Sequence, residues 1–265
     1  MEVEILEQNK KDGKTRFILS KTTPSYANTI RRLIMSEVPT MAIEDVEFRQ
    51  NNSVLYDEMV ALRLGLVPLT TDIKAYNLPS KCSCNGAGCA RCQLKLTLKA
   101  NGPKTVYSKD IKSKDPKVKP VFEEIPIVKL LEGQSLEFEA TAVLGQGKEH
   151  AKWIPGHVYF QNTPKIKILK QPKDADALAE SCPKKIFDAK GGKLSINEKK
   201  LLECDYCEAC LHIAEEAGVV EVKLDESEFI FTIESWGQLS PKEMIEKSLE
   251  IFDEKLEEFK GLFKD

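Results

Sequence analysis

Eight cysteines constrain this chain more than any other feature, because they fall into two clusters of four with short internal spacings. In a reducing cytosol such clusters hold metal more often than they form disulfides, with the intracellular disulfides of some hyperthermophiles as the exception. In the second cluster, Cys204-x-x-Cys207-x-x-Cys210 puts three thiolates in one tight loop, and Cys182, followed by Pro183, supplies a fourth at a distance. This is the ligand logic of half a bacterial-type ferredoxin, whose fourth cysteine precedes a proline and comes from the other half of the fold. Four thiolates satisfy the four irons of one [4Fe–4S] cube. Counting excludes a second cube. Ala214 stands four residues after Cys210, and Leu178, Ala175 and Pro172 stand four, seven and ten residues before Cys182. Zinc in the same four thiolates, or unliganded core cysteines, are the alternatives.

The first cluster, Cys82-x-Cys84-x4-Cys89-x-x-Cys92, encloses Gly86 and Gly88. Four soft ligands in so short a loop suit tetrahedral zinc, and the glycines permit the tight backbone reversal it needs. A disulfide pair or vacant thiols are the other readings. Only Lys81 and Arg91 are basic here and no recognition helix follows, so a nucleic-acid zinc ribbon is not expected.

The chain has 265 residues, 42% hydrophobic and 31% charged, enough for two or three modest domains with buried cores. Its formal charge of −3 lacks the basic excess of a free-standing DNA binder, so contact with DNA is expected only indirectly. No apolar run approaches the roughly 20 residues of a membrane helix, and the acidic N-terminus is unlike a signal peptide. A cytoplasmic protein with no membrane association is expected.

Alternation at Val3, Ile5 and Thr15–Leu19 around Asp12-Gly13 predicts a hairpin. Thr23 and Pro24 then cap a helix with its apolar stripe at Ala27, Ile30, Leu33 and Ile34, stopped by Pro39. A strand is expected over Ala42–Phe48 and a helix over Leu55–Leu64, with Asp57-Glu58 as helix-start charges. Strands follow at Leu94–Leu98, Thr105–Ser108, Ile125–Leu130 and Leu136–Leu144. Pro155 and Pro164 are expected to break Trp153–Ile168 into two strands. Residues 171–218 turn polar, hold the second cysteine cluster and carry the turn Gly191-Gly192, as an inserted domain would. Val219–Leu224 and Phe229–Glu234 read as a hairpin around Asp225-Glu226. Ser240, Pro241 and Glu243 form a capping box that starts a last helix reaching about Phe263. Its apolar positions Ile245, Leu249, Phe252, Leu256, Phe259 and Phe263 repeat 4-3-4-3-4. That is the seam a helix shows to a partner helix, or to the sheet of its own domain. His150, His157 and His212 are scattered, and no Ser-His-Asp order, phosphate loop or paired acidic metal motif is legible. Nothing supplies carboxylate-bound magnesium for polymerisation chemistry.

Asn28-Thr29-Ile30-Arg31-Arg32-Leu33 with Glu37-Val38-Pro39-Thr40 resembles the helix signature of the alpha-like RNA polymerase subunits. Asp57-Glu58 with Ala61–Leu69, Val106–Asp110 and Gly147–Trp153 are similar to further blocks of that family. Glu234-Ser235-Trp236-Gly237 is similar to its closing block, where valine is commoner than Trp236. The resemblance spans essentially the whole chain and is strongest to the archaeal members of that family, which are related to bacterial alpha and to the third-largest subunit of eukaryotic polymerase II.

This resemblance implies an α+β fold. A discontinuous alpha-like dimerisation domain (1–46, 158–171 and 219–265) carries a mostly β insertion domain (47–157) with the Cys-rich zinc loop, and an inserted ferredoxin-like domain (172–218). The eukaryotic relative has a zinc loop at the position of Cys82–Cys92, with one residue fewer between its second and third cysteines. The implied role is that of a non-catalytic assembly platform. The chain pairs with subunit L, joins the small zinc subunits N and P, and docks the two large catalytic subunits. Arg31 and Arg32 are the implied contacts for the second-largest subunit, against the plain reading as solvated helix charges. Leu249, Phe252, Leu256 and Phe259 are the implied seam for subunit L. The competing class, an iron–sulfur electron-transfer protein, explains the second cysteine cluster alone. A zinc-dependent transcription factor explains the first but conflicts with the acidic balance.

Overall fold

A computed structural model of the chain describes residues 1–212 and 218–263. The chain divides into two compact units, each assembled from separate stretches of sequence. Unit 1 comprises Met1–Leu6, Arg16–Ala27 and Phe160–Thr232, and unit 2 comprises Glu7–Thr15, Asn28–Tyr159 and Ile233–Asp265. The elements begin with strands β1 (Glu2–Asn9) and β2 (Lys14–Ser20), helix α1 (Pro24–Ser36), strand β3 (Pro39–Asn51) and helix α2 (Asp57–Gly65). Strands β4 (Gln93–Asn101), β5 (Lys104–Tyr107), β6 (Lys112–Ser113), β7 (Pro126–Leu130), β8 (Ser135–Gln146) and β9 (Gly156–Ile168) follow. The remainder is helix α3 (Ala175–Ser181), strands β10 (Phe187–Lys190) and β11 (Lys193–Ile196), helix α4 (Ala209–His212), strand β12 (Val220–Ser235) and helix α5 (Pro241–Gly261).

In unit 2, β3, β8, β4 and β6 form an antiparallel sheet in that order. Successive strand side chains point to opposite faces. Leu136, Phe138, Ala140, Ala142 and Leu144 of β8 and Leu94, Leu96, Leu98 and Ala100 of β4 are therefore buried together. Each large side chain so buried contributes roughly 1.5–3 kcal/mol. The opposite face is polar: Lys99 pairs with Glu137 at 2.7 Å and Lys95 with Glu139 at 3.3 Å. Helix α2 closes the core with Val60 and Leu64. A register shift in β3 between Ile43 and Asp45 re-aims the intervening Glu44. Glu44 bonds Lys152, whose Nζ also donates to the Ile43 carbonyl at 3.0 Å. Beside it the Trp153 ring lies against β8 at Gly145, where any Cβ would overlap the indole. The Thr40 hydroxyl donates to the Trp153 carbonyl at 2.8 Å.

In unit 1 the strands take the order β1-β2-β12-β9. Phe231 stacks on Phe17 at 5.3 Å and on Phe160 at 5.1 Å, and Phe229 meets Phe160 edge-on. Two expectations fail here. β9 runs unbroken through Pro164, because it is the last strand in the order and a proline there removes no ladder bond the sheet needs. The hairpin at Asp225-Glu226 is absent, and β12 is continuous from Val220 to Ser235. What resembled a turn is an acidic pair on a strand held between β2 and β9. Asp225 accepts from Ser227 N and Oγ, each at 2.8 Å, and pairs with Lys165 at 2.5 Å. The Lys165 ammonium, then Ser227, holds the Asp225 carboxyl down at about 2. The β10–β11 hairpin turns at Gly191 (φ +58°) and Gly192 (φ +75°), the positive-φ pair that a two-residue turn requires.

Both anticipated caps form. Thr23 Oγ1 accepts from Tyr26 N at the start of α1, and Ser240 with Glu243 builds the reciprocal box of α5. On α5 the buried positions are Met244, Ser248 and Ile251. The helix thus has an inner stripe displaced from the 4-3 seam legible in the sequence, and the seam residues Leu249, Leu256 and Phe259 are exposed.

Gly145→Ala is expected to push Trp153 off β8 at a cost of about 1–3 kcal/mol, as overpacking does. Denaturant unfolding should show the loss, and Trp153 fluorescence should shift to the red. An unchanged spectrum and midpoint would contradict the clamp.

Candidate metal centres

Cys92 directly precedes β4, so the sheet anchors that end of the first cysteine loop, while Cys82 follows the short 3-10 turn Pro79–Lys81. Within the loop, Gly86 and Gly88 take φ of +79° and +87°. The four thiols converge, with all ligand atoms within 4.8 Å of one another. Cys82 and Cys89 Sγ are 3.6 Å apart, Cys84 and Cys92 3.5 Å, and Cys89 and Cys92 3.8 Å. All eight cysteines of the chain are free thiols. Thiolates at about 2.3 Å from one tetrahedral ion sit about 3.8 Å apart, so this group has the size of a single-ion site. Cys92 and Cys82 are buried, while Cys84 and Cys89 are partly exposed. The hydrogen bond from Cys82, then that from Cys92, draws the Cys84 thiol down to about 6. Burial pushes Cys92 up to about 12. A thiolate is therefore ready at Cys84, and a cation must displace a proton from Cys92.

The second group is arranged differently. Cys182, at the C-terminal end of α3, and Cys204, Cys207 and Cys210 line one recess in unit 1, with Ile166, Ile186, Phe187 and Val222 as apolar walls. Tyr206 (φ +57°) and Glu208 (φ +60°) put the left-handed kinks between the three clustered cysteines. Cys182, Cys204 and Cys210 belong to the apolar core of this part, and Cys207 is exposed. The Ile186 amide donates to Cys182 Sγ at 3.5 Å. Burial raises the thiols of Cys204 and Cys210, the latter to about 11. Among the described residues, only the first group meets the 4.8 Å closeness of a single-ion site. The donor chemistry of the second group, four thiols around an apolar recess and one amide aimed at sulfur, fits a larger sulfur-ligated group.

The remaining anticipated residues lie elsewhere in unit 2. Arg31 is clasped to α1 by Asn28, whose Oδ1 accepts from Nε at 3.1 Å and Nη2 at 2.9 Å, while Arg32 is exposed. The α5 residue Phe252 is half-buried. A polar junction went unread in the sequence. Glu37 meets Lys148 at 2.9 Å and Lys255 of α5 at 3.4 Å, and its carbonyl accepts from Gln146 Nε2 at 2.7 Å. Burial opposes its ionisation, but the two lysines outweigh that and hold the carboxyl below the usual range. These residues line a cleft of about 320 Å³ that includes Lys81 and Glu254, paired at 3.6 Å. Their separation along the chain hid the junction; the local signals were Glu37 in the Glu37–Thr40 block and Lys148 in the Gly147–Trp153 block.

Two sheet-based units carry a converging cysteine group and a cysteine-lined recess, and the last helix leaves an apolar seam exposed. Comparison with known proteins makes this specific. The family model for the RNA polymerase Rpb3/RpoA insert domain matches residues 44–156. The chain is 40% identical over 263 residues to the DNA-directed RNA polymerase subunit Rpo3 of Methanosarcina acetivorans, covering 97% of this chain and 96% of that one. It is 38% identical to the Archaeoglobus fulgidus Rpo3, covering 100% and 98% of the two chains. It is also 38% identical to the DNA-directed RNA polymerase II subunit rpb3 of Dictyostelium discoideum, covering 98% and 94%. The chain belongs to the Rpo3/Rpb3 family of alpha-like subunits of DNA-directed RNA polymerase. Among the described residues no helix is long and apolar enough to cross a membrane.

Protons compete with metal for thiols, so ion affinity at the first group should rise as pH increases. Cys84, ionised above about 6, presents its thiolate at neutral pH, whereas Cys92, raised to about 12, must release its proton on binding. Calorimetric zinc titrations in buffers of different ionisation heat should show net proton release at pH 7. Cys92→Ser should abolish tight binding there. Binding independent of pH would contradict the assignment.

Proposed function

We propose that this chain is a non-catalytic assembly platform of a cytoplasmic RNA polymerase, pairing with subunit L, joining subunits N and P, and docking the two large catalytic subunits. The full-length similarity to Rpo3 chains carries this reading. In it, residues 1–46, 158–171 and 219–265 act as the dimerisation domain, 47–157 as the insertion domain, and 172–218 as an inserted ferredoxin-like domain; residues 213–217 of that last segment lie outside the described residues. The uncovered seam of α5 supports pairing: Leu249, Leu256 and Phe259 are apolar and exposed, beside a helix face already packed through Met244 and Ile251. Arg31, oriented by Asn28, and Arg32 serve as contacts for the second-largest subunit.

The first cysteine group holds zinc, consistent with its single-ion dimensions. The second holds one [4Fe–4S] cube. The four cysteines share one recess with apolar walls, as the thiolate ligands of such a cube would. The buried apolar side chains of the inserted segment itself are Ile186, Phe187 and Leu194 with Ala175 and Leu178, joined by Ile166, Val219 and Val220 from the flanking chain. So small a core is marginal alone, and a cluster joining Cys182 to Cys204 across 21 residues supplies folding energy. The cube is therefore structural and, through its effect on assembly, regulatory, and stands outside RNA synthesis.

Three outcomes test this reading. Phe252→Asp places a charge on the seam and should prevent pairing with subunit L in size-exclusion chromatography; wild-type pairing would remove the seam from the account. Anaerobic protein should carry about four irons and one zinc per chain. A Cys182/Cys204/Cys207/Cys210→Ser variant should lose the iron and exchange amide hydrogen faster within 172–218, yet give normal activity per assembled enzyme. Slower elongation by that assembled enzyme would show that the cube takes part in the reaction.

A further inference from the structure

Charge is unevenly spread in unit 2. Residues 95–119 hold eight lysines and two aspartates, a local charge of +6 in a chain of −3. Lys95 and Lys99 belong to a balanced face, paired across the sheet with Glu139 and Glu137. The loop 109–119 is not balanced in this way. Lys109, Lys112, Lys114, Lys117 and Lys119 are exposed, whereas Ile111 and Val118 between them are buried. Both aspartates are engaged. Asp110 accepts from Tyr107 N at 2.9 Å and meets Lys104 at 3.6 Å. Asp115 accepts from the Tyr76 hydroxyl at 2.8 Å and from Lys117 N at 2.9 Å. Lys117 reaches Asp72 at 2.9 Å. Glu123 lies at the far end, its carbonyl accepting from Lys109 N at 3.1 Å. Among the described residues, Lys112, Lys114 and Lys119 have no carboxylate within ion-pair distance.

The backbone of this loop is pinned. Thr70 N donates to the Lys119 carbonyl at 2.8 Å, Thr70 Oγ1 to the Lys117 carbonyl at 2.6 Å, and Lys119 N to Thr70 Oγ1 at 3.0 Å. Leu69 and Pro120 form a β-bridge beside them. The ammonium groups thus project from a fixed frame, which lowers the ordering cost of binding.

We propose that this loop is a platform for the phosphate backbone of duplex DNA. It carries five lysines and no arginine or aromatic residue. Ammonium groups on flexible stems make sequence-independent phosphate contacts, and the loop lacks the planar forks and rings that read base edges or stack on single strands. Because the whole chain is acidic, one basic loop also sets the orientation in which a polyanion approaches. The proposal rests on the polymerase reading, which brings DNA within reach, and its test is separable from that reading.

The test uses the full-length chain and a labelled duplex of arbitrary sequence, followed by anisotropy at increasing salt. Three unpaired lysines predict a slope of about −3 in log affinity against log salt. A Lys112→Ala/Lys114→Ala/Lys119→Ala variant should bind about 10-fold or more weakly with a flatter slope. Lys10→Ala/Lys11→Ala, on another exposed turn, should match wild type. The DNA assignment is overturned if the triple variant binds the duplex as wild type does. It is overturned in favour of an acidic polypeptide if polyglutamate displaces the duplex at lower charge concentration than competitor DNA. Co-purification of the wild-type chain with the other polymerase subunits is scored separately, so a failed polymerase reading leaves its own signature.

Discussion

Strand β8 is the member on which unit 2 depends. It pairs with β3 at eleven positions and with β4 at nine, and its alternate residues Leu136, Phe138, Ala140, Ala142 and Leu144 point inward into the core. A slip of one residue would turn Leu136, Phe138 and Leu144 to solvent and bring Glu137 and Glu139 inside. Because that register is enforced by burial, everything attached to it is placed. Gly145 receives the Trp153 ring, Gln146 reaches Glu37, and β4 holds the end of the first cysteine loop. The loop runs directly into that sheet at Cys92, the residue before β4.

The two cysteine groups therefore stand in different energetic positions. The first leads into a strand of a large core, and its thiols lie at the spacing that one tetrahedral ion would need. The second sits within a small apolar cluster whose members include three of its own cysteines. There, cysteines and apolar side chains such as Ile166, Ile186, Phe187 and Leu194 share one cluster, and burial raises the thiols of Cys204 and Cys210.

Charge shows the same contrast between bulk and local description. A formal charge of −3 argues against a nucleic-acid binder, but it averages a ladder of paired strand charges with a lysine loop whose acids are already used internally. At Glu37 the reverse holds, where one carboxylate gathers Lys148 and Lys255 from distant parts of the sequence. Neither arrangement can be seen by summing charges, because pairing depends on which side chains the sheet register and helix packing bring within a few ångströms.

Features that depend on near neighbours along the chain are legible in the sequence by itself. These include the caps at Thr23 and Ser240, the turn at Gly191-Gly192, the alternating strands of unit 2, both cysteine clusters and the family blocks. Each is set by backbone preference or by ligand spacing within a few residues. Tertiary structure decided the rest. Pro164 stays inside a strand because β9 is the last in its sheet order, and Asp225-Glu226 stays extended because β12 is paired on both sides. The inner face of α5 proved to be Met244, Ser248 and Ile251, since the stripe that packs depends on which neighbour the helix meets. The convergence of the first thiol group and the shared recess of the second also arise only once the chain has folded. Distances between side chains far apart in sequence are fixed by packing, which local pattern does not encode.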